Sequence, residues 1–159
     1  MAQSESHDSQ PSVQDVALIV GGGPGISASC ARLFAQRGMR VGIAARNPYK
    51  AVLLDLEKTH GVRRYTSDAG DPRSVDQLFQ HIVRDLGSPT LVVHNIDGRV
   101  PGIFGKKITE ADPGMALDTL RNAAFSAFLV GQQAALHLHR QHRSTWTFEV
   151  VLRPWVERW

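Results

Sequence analysis

The 159-residue chain is most informative in what it runs short of. It holds one cysteine, Cys30, so no disulfide can form within it, and that residue sits among apolar neighbours at helical spacing, where a small buried hydrophobe is expected. No apolar run reaches the length of a membrane span, and no charged-then-apolar leader opens the chain; the expectation is a cytoplasmic protein with no membrane partner. A formal charge of +3, with basic residues scattered and no Lys/Arg stripe interleaved with aromatics, gives no footprint for nucleic acid. Tyrosine occurs twice, at Tyr49 and Tyr65; lysine stops at Lys107 and glycine at Gly131. His137, His139 and His142 lack both the i, i+4 spacing and the nearby carboxylate of a metal site, so no metal is expected.

What is present is an alternation of strand and helix patterns. After a polar segment, 1–15, expected to be disordered, strands are predicted at Val16–Val20, Arg40–Ala45, Val62–Thr66 and Thr90–His94. Between them lie helices from about Pro24 to Arg37, from the Asn47-Pro48 cap to about His60, and from the Asp71-Pro72 cap to Gly87. The third helix places Val75, Leu78, Phe79, Ile82 and Val83 on one face. A glycine-containing loop, Ile96–Ala111, then leads to an Asp112-Pro113 cap and a long helix that can run to about His142. This alternation predicts an α/β fold: an incomplete doubly wound, Rossmann-like parallel sheet in the order 3-2-1-4. The domain is placed at 16–142. The tail, 143–159, carries all three tryptophans, and Thr145–Leu152 could add a fifth strand.

The densest feature is Val20-Gly21-Gly22-Gly23-Pro24-Gly25-Ile26-Ser27, lying between the first strand and the first helix. Glycines at such a junction let a phosphate approach bare backbone amides and the positive end of a helix dipole. A purely structural turn is the alternative, but the flanking strand and helix, with a second strand about twenty residues on, favour dinucleotide binding. After the second strand stands Ala44-Ala45-Arg46-Asn47. No carboxylate is there to take ribose hydroxyls, and Arg46 can pair with a 2′-phosphate, so NADP is expected rather than NAD.

Together these residues resemble the short-chain dehydrogenase/reductase family. The glycine turn matches its T-G-x-x-x-G-x-G motif, with Val20 for Thr and Ser27 for the last Gly. Ser67-Asp68-Ala69-Gly70-Asp71-Pro72 looks like the family's D-v-t-D-P segment. His94-Asn95-Ile96-Asp97 occupies the place of N-N-A-G, keeping only Asn95. The resemblance covers about Val16–Leu138. It implies Gly21, Gly23, Gly25 and Ile26 at the phosphates, Asp68 at adenine and Asn95 near the ribose. It also implies a symmetric dimer, or pairing with a full-length relative, through the helix 113–142.

The family's catalysis uses Asn, Ser and Tyr-x-x-x-Lys. Ala123 falls where the Asn is expected and Asn122 lies one residue early, a turn of about 100° on a helix that makes it a poor substitute. Neither tyrosine is followed by Lys at the fourth position, so no catalytic residue is assigned. The changed composition after about Leu138 is read as replacement of the family's C-terminal part by a frameshift, an alternative splice or an early stop. The expected function is the NADP(H)-binding portion of such an oxidoreductase, which transfers hydride between nicotinamide and a carbonyl or alcohol. The alternatives are a catalytically dead binding or dimerising regulatory module, or a non-functional truncated product.

Overall fold

The computed structural model describes residues 15–138. The segment before Asp15, the helix end beyond Leu138 with His139 and His142, the expected strand at Thr145–Leu152 and the tryptophan tail lie outside the described residues.

Four parallel strands, β1 (Val16–Val20), β2 (Arg40–Ala45), β3 (Arg63–Thr66) and β4 (Leu91–His94), form one sheet in the order β3-β2-β1-β4. The register pairs Ala17 with Val41 on one side and with Leu91 on the other. All five residues of β1 are buried, as expected for a central strand covered on both faces. Alternate side chains point to opposite faces. Val16, Leu18 and Val20 therefore pack with Phe79, Ile82, Leu129 and Val130, while Ala17 and Ile19 pack with Ile43, Leu53, Leu56 and Val62.

The helices that form these layers follow local signals. α1 (Ile26–Gln36) ends at Arg37, where Gly38 takes a φ of 81°. α3 (Pro72–Asp85) opens where the Asp71 carboxylate accepts from the Arg73 amide, and it buries the Val75–Leu78–Phe79–Ile82 stripe read from the sequence.

Two elements differ in kind from expectation. Asn47 does not cap α2 (Ala51–His60): its Oδ1 accepts from the Tyr49 amide at 2.9 Å, a local Asx turn, and Lys50 takes the cap position. The long helix is not uniform either. It consists of α4 (Pro113–Leu120), a π-helical turn (Arg121–Phe125) and α5 (Ser126–Leu138).

Strand order reverses between β1 and β4. Crossovers leaving β1 and β3 thus run over opposite faces, and a crevice opens beyond the carboxyl ends of the central strands.

Candidate dinucleotide site

At that crevice lies a cleft of about 570 Å³, floored by Val20, Ala44, Ala45 and Asn95 and closed at one end by the glycine turn. The glycines of the turn divide by role. Gly21 has a φ of 106°, and a Cβ there would stand 2.1 Å from the Asn95 carbonyl oxygen, so only glycine lets β1 turn beside β4. The amides of Gly21 and Gly22 both donate to the Ala44 carbonyl at 2.9 Å, and a Cβ on Gly22 would meet Leu53 at 2.9 Å. These two glycines serve packing.

Gly23 and Gly25 are different: a Cβ at either would have nothing within 4 Å, and both line the cleft. Gly25 sits at the N-cap of α1, whose first turn receives no side-chain cap. The opening amides of that helix therefore face the cleft at the positive end of its dipole.

Ser27, a departure from glycine in the family motif, is buried and fastens the turn. Its hydroxyl donates to the Gly21 carbonyl at 2.6 Å and accepts from the Asn95 side-chain amide at 2.8 Å. Asn95 also donates its backbone N–H to Val20 at 2.8 Å, so its side chain is held against the floor.

Arg46, after β2, is exposed at the cleft, and no hydrogen bond or ion pair engages it among the described residues. A second cation beside it was missed. Lys50 lines the cleft and donates from Nζ to the Gly22 carbonyl at 2.8 Å. The loop between them is held from β3, since Arg64 donates to the Pro48 carbonyl at 3.0 Å and to Glu57 at 2.6 Å. On the opposite wall Asp68 accepts from the Gly70 amide at 3.0 Å.

Asp97, where the family motif has Gly, also reaches the cleft, but Arg99 grips its carboxylate at 2.7 and 2.5 Å. Those bonds hold its carboxyl below the usual carboxylate range.

The structure brings Asn122 to the cleft. The π turn carries one more residue than a helical turn and so re-registers the helix by about 100°. Asn122 lines the cleft, whereas Ala123 is packed under the loop, so that a Cβ on Gly98 would stand 2.5 Å from the Cβ of Ala123.

Neither tyrosine stands at the cleft. Tyr49 is 71% exposed on the outer loop, and the Tyr65 phenol donates to Asp85 at 3.3 Å, with burial foremost and then Asp85 raising its pKa to about 12. His137 stacks on Phe79 with centroids 5.4 Å apart. No three metal-binding side chains gather among the described residues.

A parallel sheet in this order, with a glycine turn opening on an uncapped helix at the switch point, defines the doubly wound, Rossmann-like class of α/β proteins. The family profile described as enoyl-(acyl carrier protein) reductase matches residues 21–151. The chain belongs to the short-chain dehydrogenase/reductase family of oxidoreductases.

It is 35% identical over 89 residues to an uncharacterised oxidoreductase of Mycobacterium tuberculosis, covering 54% of this chain and 34% of that protein. It is 36% identical over 88 residues to a probable 2,4-dienoyl-CoA reductase of Caenorhabditis elegans, covering 52% and 28%. The chain thus spans about a third of the length of these curated relatives.

Among solved structures, a double mutant of a Serratia marcescens short-chain dehydrogenase/reductase superposes with a TM-score of 0.67 at 23% identity, covering 79% of this chain and 51% of that one. A mutant actinorhodin polyketide ketoreductase with NADPH gives 0.69 at 24%, covering 78% and 47%. At these identities the likeness is one of fold.

Proposed function

We propose that this chain is the NADP(H)-binding portion of a short-chain dehydrogenase/reductase, with residues 16–142 as the binding unit in the cytoplasm. The observation that carries the reading is the uncapped start of α1, opening on the cleft past Gly23 and Gly25, whose Cβ directions are empty. A diphosphate suits that cradle, because bare amides donate to it and the helix dipole favours its charge.

In this reading the amides of Gly23, Gly25 and Ile26 hold the diphosphate, and Gly21 shapes the turn. Asn95 borders a ribose, Asp68 stands at the adenine, and Arg46 with Lys50 accommodates a 2′-phosphate. The bound nicotinamide would supply the hydride chemistry. The solved ketoreductase carries NADPH, and a similarly folded reductase of bacilysin biosynthesis is NADPH-dependent, which favours the phosphorylated cofactor here.

Turnover by this chain alone is not expected. The family's proton-transfer group is a Tyr with a Lys four residues on, and the sequence contains no such pair.

A second reading, a dimerising regulatory module, is favoured by the apolar face of α4 and α5. Leu117, Leu120 and Phe128 are 67%, 61% and 59% exposed there, and a second copy or a full-length relative would cover them.

Calorimetric titration with NADPH and NADH tests the first reading. NADPH should bind more tightly, and Arg46→Asp should reverse the preference by about tenfold or more while leaving stability within about 0.5 kcal/mol. Binding of neither cofactor by folded protein would refute it, and equal binding of both would remove the 2′-phosphate assignment.

A further inference from the structure

We infer that His94 and Ser126 are positioning residues for the cleft: they hold the π turn that presents Asn122 to it, although neither lines it. Ser126 is fully buried and knits the turn twice. Its backbone N–H reaches the Arg121 carbonyl, the i−5 partner of a π turn, and its hydroxyl lies 2.5 Å from the Asn122 carbonyl and 3.1 Å from that of Ala123.

A hydroxyl has a single proton. Both carbonyls are acceptors; with the proton directed at them, the 2.8 Å contact with His94 runs from Nε2–H into Oγ in the tautomer that carries its proton on Nε2. Burial pushes the His94 pKa below the ordinary histidine value, which favours the neutral ring. The end of β4 therefore fastens the turn through one donor and one hydroxyl.

Two further contacts seat the same turn. Gly98 leans on Ala123, and Arg121 Nε donates to the Gly70 carbonyl at 3.4 Å. The turn thus bridges the loop after β4 and the loop that carries Asp68, which form two walls of the cleft. Without the extra residue in the turn, Asn122 would rotate off the cleft by about 100°. The fastening of the turn is independent of any ligand; its consequence for cofactor affinity rests on the dinucleotide reading.

The test compares His94→Leu, His94→Gln and Ser126→Ala by amide hydrogen exchange over residues 121–126 and by NADPH titration. Gln carries an N–H donor of similar reach, whereas Leu fills space and donates nothing. Leu and the Ser126 variant should speed exchange in that segment by about tenfold. They should also weaken NADPH binding by about fivefold, with Gln within about twofold of the parent on both measures. Leu and Gln behaving alike, or a folded Ser126→Ala with parental exchange, would overturn the inference. Should His94→Leu fail to fold, the Gln and Ser126 variants decide. The exchange arm needs no cofactor, so a parent that binds no NADPH would remove the dinucleotide reading and leave this inference standing or falling on exchange alone.

Discussion

Two glycines two positions apart can do opposite work. Gly21 is fixed by the backbone of Asn95 and by its left-handed φ, so Gly21→Ala should lower unfolding free energy by at least about 2 kcal/mol in urea denaturation. Gly23 meets nothing, so Gly23→Ala should leave stability within about 1 kcal/mol and weaken NADPH binding, because its methyl stands in the cleft. Loss of stability at both positions with no loss of binding at Gly23 would mean that the turn is structural. Lys50→Met keeps the aliphatic stem but removes the bond to Gly22, and should reduce both affinity and its dependence on salt. The sequence displayed the glycines and Arg46 because their meaning is local. Lys50 and Ser27 were illegible because each acts on a carbonyl, at Gly22 or Gly21, that only the folded turn brings near.

At the level of elements, the strands and their order were readable because buried parallel strands alternate with helices whose caps, Asp71 and Asp112, are local signals. The π turn was not, since a 3.6-residue pattern carries no mark for one added residue, and so the place of Asn122 at the cleft was not legible either. Ala123→Asn restores the residue expected there, yet it should destabilise the protein by about 1–3 kcal/mol, because Gly98 occupies the space at Ala123. The edge of β4 also responds to pH. His94 has a lower pKa folded than unfolded, so its contribution to stability is full above the unfolded value of about 6.5. It is lost as pH falls from there through the folded value. Urea midpoints measured from pH 7.5 down to 5 should drop more in the parent than in His94→Gln; equal slopes would show that folding does not shift the His94 pKa.

For the molecule as a whole, the sheet is covered on both faces, yet the outer side of α4 and α5 remains apolar. Phe125 and Phe128 stack there with centroids 6.3 Å apart, and Phe128 is 59% exposed. Sedimentation should show self-association that Phe128→Glu reduces, with NADPH affinity unchanged because Phe128 does not line the cleft. A monomeric parent would remove the dimerising reading. The other consequence concerns the cofactor's place. With NADP added to labelled protein, the backbone amide resonances of Gly23, Gly25 and Ile26 should shift most, and those of Gly21 and Gly22, already committed to the Ala44 carbonyl, should shift least. Stationary amides at the start of α1 in a folded chain, or shifts concentrated on another surface, would contradict the account.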